Sequence, residues 1–119
     1  MKKVLVVEDN ELNLKLFRDL LEAHDFSTFE TSKGNEAIEI TKNKSPDLII
    51  MDIQLPGCSG IDIIKEIKAT KEIKKIPIIA VTAFAMQEDE EKILAAGCED
   101  YLAKPISIDS FIEKIQKYT

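Results

Sequence analysis

Residues 3–10 read KVLVVEDN, and residues 47–52 read DLIIMD. Each stretch contains a short apolar run that ends in acidic side chains. Apolar strands without polar alternation are typical of a parallel sheet that helices cover on both faces. Similar runs recur along the chain, and residues 27–31, which are more polar, suit an edge strand. The five predicted strands are residues 3–8, 27–31, 47–51, 76–81 and 100–103.

Helical spacing fills the segments between these runs. The first predicted helix follows Asn10, a residue suited to capping a helix N-terminus. Its apolar positions are Leu12, Leu16 and Leu20, flanked by Phe17 and Leu21. The second and fourth predicted helices span about residues 34–43 and 87–96. The third is predicted to bury Ile61, Ile64 and Ile67. The fifth, capped by Ser107, is predicted to bury Ile108, Phe111, Ile112 and Ile115.

Five strand–helix units in a chain of 119 residues predict one domain, spanning residues 1–119. Parallel neighbouring strands need right-handed crossovers, and both faces of their sheet need helices. The predicted fold class is therefore α/β, a doubly wound five-stranded parallel sheet with five helices, of the flavodoxin-like type. The strand order 2-1-3-4-5 is expected from the fold class, because strand order is not visible in a sequence.

The charge balance, the length of the apolar runs and the cysteine and histidine content disfavour several classes of function. The 16 basic and 22 acidic residues give a net charge of −6, which disfavours nucleic-acid binding because phosphates would be repelled. No apolar run approaches the roughly 20 residues that span a bilayer, so no membrane insertion is expected. The first apolar run is too short for a secretory signal, and a cytoplasmic location is expected. Two cysteines without a CxxC pair, with one histidine, do not supply a usual zinc site.

Polar residues follow four of the predicted strands. They are Glu8 and Asp9, Asp52, Thr82, and Lys104. In open α/β sheets the ligand crevice lies beyond the carboxyl ends of the strands, so these side chains are expected to converge there. Unit charges about 4 Å apart repel by ~4 kcal/mol at an effective dielectric constant of ~20, so gathered acids need a cation. Oxygen ligands favour a hard divalent ion, and Mg²⁺ is the predicted cofactor.

Each of these residues also has a less specific interpretation. An Asp after a strand is commonly a turn former or a helix cap, and a Lys before proline is commonly solvated. If the site forms, Asp9 is predicted to coordinate Mg²⁺ directly and Glu8 through water. The Asp52 carboxylate could then attack phosphorus. Lys104 and Thr82 would stabilise charge on the transferring group.

The ordered set of motifs resembles the receiver domains of two-component response regulators, over essentially the whole chain. The motifs are EDN at 8–10, MDIQLP at 51–56 with Gly60, AVTA at 80–83 and YLAKP at 101–105. More narrowly, residues 8–13, 80–86 and 104–107 are similar to DivK-type single-domain regulators of bacterial cell division. The acidic pair is Glu-Asp where many members of the family have Asp-Asp.

The resemblance implies that Asp52 accepts a phosphoryl group from a histidine kinase or a phosphotransfer protein, with Mg²⁺ as the cofactor. It adds the backbone carbonyl of Gln54 to the expected metal ligands, beside Asp9, Asp52 and, through water, Glu8. It implies a signalling protein that assists only its own phosphorylation and dephosphorylation, rather than an enzyme.

The resemblance also implies a switch. Thr82 would move toward the phosphoryl group, Lys104 would contact it, and Tyr101 would turn inward as Thr82 shifts. The bond between Lys104 and Pro105 is expected to be cis, which is energetically accessible before proline. The fourth helix, fifth strand and fifth helix would then bind a downstream protein.

The output of this switch is expected to be protein–protein contact or phosphoryl relay, in cell-cycle or cell-division control. The chain ends just after the last predicted helix and starts with Met1, which favours a natural single-domain regulator. Phe84 and Met86 are candidates for apolar contact with a partner, or else they pack beneath their own loop.

Three other functions fit the same architecture. A flavin-binding protein is disfavoured because Glu8 and Asp9 would repel the cofactor phosphate. A Mg²⁺-dependent phosphatase with an aspartyl nucleophile would need more chain to enclose its substrate. A receiver that only binds partners conflicts with the complete set of acids, hydroxyl and lysine. A P-loop nucleoside triphosphatase is excluded because GxxxxGK[ST] does not occur.

Overall fold

The computed structural model describes residues 1–55, 57–83 and 87–119, apart from the side chains of residues 87–89. The main strands are β1 (Lys3–Val7), β2 (Ser27–Thr31), β3 (Leu48–Asp52), β6 (Ile78–Thr82) and β7 (Asp100–Ala103). Two strands of two residues, β4 (Gln54–Leu55) and β5 (Cys58–Ser59), form a separate antiparallel pair. The main sheet is parallel throughout, in the order β2-β1-β3-β6-β7. This confirms the predicted fold class and strand order.

Within the described residues there are five helices, of which four connect strands and the last follows β7. They are α1 (Glu11–Ala23), α2 (Gly34–Lys44), α3 (Gly60–Ala69), α4 (Gln87–Ala95) and α5 (Ile108–Tyr118). Both predicted side-chain caps are confirmed. The Asn10 side chain accepts a hydrogen bond from the Asn13 N–H at 3.0 Å, and the Ser107 hydroxyl accepts one from the Ser110 N–H at 3.4 Å. None of the helices, as far as the chain is described, combines the length and apolarity needed to cross a membrane.

Two apolar cores form because alternate strand residues point to opposite faces of the sheet. One core joins the sheet to α2, α3 and α4, and the other joins it to α1 and α5. In the second core the fully buried rings of Phe17 and Phe111 stack with their centroids 5.2 Å apart. Burial on both faces explains why β1, β3 and β6 are apolar without alternation.

The predicted apolar faces of three helices needed correction. On α1, Leu12 and Leu16 are 79% and 36% exposed, while Phe17 and Leu21 are fully buried. Phe17 and Leu21 are four positions apart and therefore lie on the same face of α1. Each residue turns a helix by about 100°, so the side chain of Leu16 points well away from that of Phe17. On α5, Ile108 is 53% exposed because it opens the helix, beyond the turns that contact the sheet. On α3 the buried residues are Ile63, Ile64 and Ile67, whereas Ile61 is only partly buried.

The strand boundaries also differ slightly from the prediction. β1 ends one residue earlier, at Val7, while β3 and β6 run one residue further and end on Asp52 and Thr82. β6 starts two residues later, after Pro77, which has no N–H to donate to a ladder. The pair β4 and β5 was not predicted. The consequence for function is that the backbones of Asp52 and Thr82 belong to the sheet itself.

Gly60 allows the first residue of α3 to lie against the end of β3. A Cβ atom at Gly60 would stand 2.4 Å from the carbonyl oxygen of Asp52 and 2.6 Å from the Cα of Ile53. Both are backbone atoms, which cannot rotate aside as a side chain can. The Gly60 N–H also donates to the Ile53 carbonyl at 2.9 Å. This contact fixes the backbone that immediately follows Asp52.

We expect Gly60→Ala to lower the free energy of unfolding by about 1–3 kcal/mol, the range typical of overpacking, because the backbone must shift. Gly57→Ala is the matched control. Gly57 has a φ of +76°, but a Cβ atom there would meet no atom of the described residues within 4 Å, apart from its chain neighbours, so only backbone strain of about 1 kcal/mol is expected. Urea unfolding measures both variants. An equal or smaller loss for Gly60→Ala would contradict the close approach.

Candidate magnesium site

Three predicted acids meet at the carboxyl edge of the sheet. Glu8 and Asp9 directly follow β1, and Asp52 ends β3, the strand beside it. One carboxylate oxygen from each residue lies within 4.8 Å of the other two. Glu8 and Asp52 are buried, with 1% and 2% of their surface exposed, whereas Asp9 is exposed. The cluster therefore consists of two buried acids, Glu8 and Asp52, and one acid at the surface, Asp9.

The carboxylate of Glu8 is held by the beginning of α1. Its Oε2 accepts hydrogen bonds from the backbone N–H groups of Asp9 at 3.1 Å and Asn10 at 3.3 Å. Its Oε1 accepts one from Nδ2 of Asn13 at 3.3 Å. The role of Asn13 was missed by the sequence analysis. A polar side chain in the first turn after an acidic pair was the available signal, but it also suits a solvated position.

Lys104 supplies the positive charge of the site. Its Nζ lies 3.2 Å from Oε1 of Glu8 and 3.3 Å from Oδ2 of Asp52. Its backbone N–H donates to the Thr82 carbonyl at 2.8 Å, and the Lys104–Pro105 peptide bond is cis. The loop after β7 is thereby attached to the end of β6, which brings the ammonium group over the two buried acids.

Asp52 is fixed from several directions. In the sheet it pairs with Val81, and the next residue, Ile53, donates from its N–H to the Val81 carbonyl at 3.0 Å. Oδ1 of Asp52 accepts a hydrogen bond from the Gln54 N–H at 3.0 Å, while Oδ2 faces Lys104. The two carboxylate oxygens therefore have different environments.

Burial and mutual repulsion shift the ionisation of these groups. Burial raises the pKa of Glu8 to about 7, and the neighbouring carboxylate of Asp52 adds to the shift. Burial alone would lower the pKa of Lys104, but the attraction of Asp52 and Glu8 outweighs it and raises that pKa. Three carboxylates and one ammonium group have a net charge of −2 when all are ionised. This charge and the hard oxygen donors fit Mg²⁺.

The remaining predicted residues lie near this edge. Thr82 is buried and ends β6, where it pairs with Ala103, the residue before Lys104. Tyr101 is half-buried on β7 and packs against the core that α3 and α4 cover. The metal-ligand role of the Gln54 carbonyl stays a prediction; the contact seen at this residue is the hydrogen bond from its N–H to Asp52. Residues 84 and 86 lie outside the described part of the chain.

The fold and the cluster together define a flavodoxin-like α/β domain that can hold Mg²⁺ where the acidic ends of two neighbouring strands meet. A sequence model of the response regulator receiver domain matches residues 4–116. The chain therefore belongs to the response regulator receiver domain family, and is a signalling domain of that family.

Individual relatives are similar over almost the whole chain. The polar-differentiation response regulator DivK of Brucella ovis is 55% identical over 117 residues, covering 98% of this chain and 95% of that protein. The receiver domain of a sensor histidine kinase from Pseudomonas aeruginosa, solved with a magnesium ion coordinated in its active-site cleft, has 33% identity and a TM-score of 0.90, covering 98% and 96% of the two chains. The chemotaxis protein CheY4 of Vibrio cholerae shares the fold, with 24% identity and a TM-score of 0.93, covering 100% and 99%.

Asp9→Asn is expected to weaken Mg²⁺ binding at least about tenfold, because the exposed acid of the cluster loses its charge while keeping its shape. Glu11→Gln removes the same charge from an exposed position two residues away and serves as the control. Isothermal titration of each protein with Mg²⁺ measures the affinity. If the two variants bind Mg²⁺ equally well, Asp9 is not a ligand.

Proposed function

We propose that this chain is a single-domain response regulator in which Asp52 accepts a phosphoryl group from the phosphohistidine of a histidine kinase or phosphotransfer protein. The observation that carries this proposal is the position of the Asp52 carboxylate, which is buried close to the acids that follow β1 and to the ammonium group of Lys104. The chain would act as a phosphoacceptor, and would assist only its own phosphorylation and dephosphorylation.

The chemistry follows from the surroundings of Asp52. A carboxylate oxygen forms a bond to phosphorus while the phosphorus–nitrogen bond of phosphohistidine breaks, and the departing imidazole nitrogen keeps the electron pair. Oδ1 is engaged by the Gln54 N–H, and Oδ2 lies 3.3 Å from Lys104. Lys104 is therefore placed to stabilise negative charge on the incoming group.

The proposed metal ligands are Asp9, Asp52 and the carbonyl of Gln54, with Glu8 acting through water. When bound there, Mg²⁺ supplies positive charge that neutralises the oxygens of the transferring group. The acids at the ends of β1 and β3 would hold the ion, and its positive charge would reduce their mutual repulsion.

The proposed biological role is cell-cycle or cell-division control. It is supported by the 55% identity to the Brucella protein, whose name describes polar differentiation. The match covers 98% of this chain and 95% of that protein. The signal would then leave through contact with another protein or through phosphoryl relay.

The proposed switch couples Asp52 to a protein-binding face. Phosphorylation adds negative charge and acceptor oxygens, with which Thr82 and Lys104 could interact. Tyr101 would respond to a shift of Thr82, and the face formed by α4, β7 and α5 would bind the partner. Exposed apolar side chains on two of these elements support this choice, since Leu94 of α4 and Ile108 of α5 are 45% and 53% exposed.

Incubation with acetyl phosphate and Mg²⁺ is expected to add one phosphoryl group to the wild-type chain and none to Asp52→Asn, because the amide is a poor nucleophile. Asp62→Asn, which alters an exposed acid on α3, is the control and should be phosphorylated normally. Intact-protein mass spectrometry detects the product. Phosphorylation of the Asp52→Asn variant would reject this acceptor.

Lys104→Ala is expected to keep the fold but lose most of the amide NMR response to beryllofluoride, because the site then lacks its ammonium group. Lys65→Ala, at an exposed position of α3, is the control and should respond as the wild type does. Heteronuclear correlation spectra with and without beryllofluoride measure the response. A full response in the Lys104→Ala variant would remove Lys104 from the switch.

A further inference from the structure

At Tyr101, the edge of the sheet formed by β7 has no backbone group left to pair with another strand. β7 ends the sheet, and an edge strand leaves backbone N–H and C=O groups that another chain could pair with. At Tyr101 both groups have partners from the chain itself. The N–H donates to Oδ1 of Asp100 at 2.8 Å, and the carbonyl accepts from Nζ of Lys114 at 2.8 Å. The backbone of Tyr101 is thus held between β6 and these two side chains.

Lys114 contacts Tyr101 a second time, through the ring. Its Nζ lies 5.4 Å from the centre of the Tyr101 ring, within the distance at which a cation is attracted to an aromatic face. The same nitrogen also lies 2.9 Å from Oδ1 of Asp100. One ammonium group on α5 therefore binds the backbone of Tyr101, its ring and the preceding carboxylate.

The position of Lys114 is itself well defined. Its side chain is 30% exposed, and that of its ion-pair partner Asp100 is 20% exposed. The other carboxylate oxygen of Asp100 accepts a hydrogen bond from the Tyr118 hydroxyl at 3.2 Å, and this hydroxyl lies 3.3 Å from the Glu99 carbonyl. The last turns of α5 thus fix the start of β7, and Lys114 cannot easily follow the ring if the ring moves.

We propose that Lys114 is a positioning residue for Tyr101, one that favours the ring orientation seen in this structure and opposes its turning inward. The inference rests on the proposed function, in which Tyr101 responds to phosphorylation. Because the backbone of Tyr101 is fixed on both sides, its response must be a rotation of the side chain. Rotation takes the ring away from the ammonium group, so the lost attraction sets part of the cost of switching.

A purely structural role would have a different consequence. If Lys114 only closed the edge of β7, its removal would lower stability without changing how readily Tyr101 responds. The chain offers a matched control, since Lys117 on the same helix has its Nζ 5.3 Å from the centre of the Tyr118 ring. Lys117→Gln removes an equivalent contact with the other tyrosine.

The test is a titration with beryllofluoride at saturating Mg²⁺, followed by ¹³C NMR of the tyrosine rings. The chain has two tyrosines, so the signals of Tyr101 and Tyr118 can be separated. Lys114→Gln keeps a hydrogen-bond donor but removes the charge. It is expected to reduce the beryllofluoride concentration at half response about two- to fivefold, the range that an exposed cation–π contact implies. Lys114→Arg, which preserves the charge, should stay close to the wild type, as should Lys117→Gln.

The outcomes separate the inference from the function on which it rests. If the wild-type Tyr101 signal responds but Lys114→Gln has an unchanged or higher half-response concentration, the positioning role is wrong and the proposed function stands. If the wild-type chain is phosphorylated on Asp52 but Tyr101 does not respond, the switch role of Tyr101 is wrong, and the role of Lys114 fails with it. Thermal unfolding of each variant separates a loss of stability from a change in response.

Discussion

One ammonium group keeps two buried acids together in this fold. Nζ of Lys104 lies within 3.3 Å of both Glu8 and Asp52, which are almost wholly buried. Buried carboxylates without a nearby cation lose hydration and repel each other, at a cost of several kcal/mol each. The ammonium group of Lys104 offsets part of this cost. It is held near the acids because the backbone of Lys104 is hydrogen-bonded to Thr82 at the end of β6. The electrostatics of the site therefore depend on the register of the sheet.

The order of the parallel strands explains why these groups meet. β1 and β3 are neighbours, which brings the acidic pair beside Asp52, and β6 and β7 follow in sequence along the same edge. Apolar burial on both faces supplies the stability that a charged edge lacks, since a fully buried side chain of the size of Leu or Phe contributes about 1.5–3 kcal/mol. Gly60 completes the arrangement by letting α3 begin directly against the Asp52 backbone. The packing of the core and the geometry of the site are thus linked through single backbone contacts.

The parallel sheet and the acidic edge of the site could be predicted from the sequence, because both leave clear local patterns in it. Unbroken apolar runs predicted the parallel strands, and the side chains that follow those runs predicted the acidic edge. The errors arose where position around a helix mattered more than composition, as with Leu12 and Leu16, or where a residue opens the helix, as with Ile108; all three are exposed. The contact of Lys114 with Tyr101 could not be predicted, because it joins different elements and leaves no local pattern. The contact of Asn13 with Glu8 was missed because a polar side chain at that position also suits a solvated site. The strands β4 and β5 were missed because two residues are too few to show a strand pattern.

In the proposed switch, two lysines would act on the two sides of β7. Lys104 contacts Asp52, the proposed acceptor, and the neighbouring Glu8, so its interactions would change with the charge of the site. Lys114 contacts the opposite, outer edge, where it holds the backbone of Tyr101 and faces its ring. β7 is thereby paired with β6 on one side and anchored by α5 on the other, and sliding of the strand would break both sets of hydrogen bonds. Rotation of one side chain breaks neither set. A change at Thr82 is therefore expected to reach the surface through the Tyr101 ring rather than through movement of the sheet.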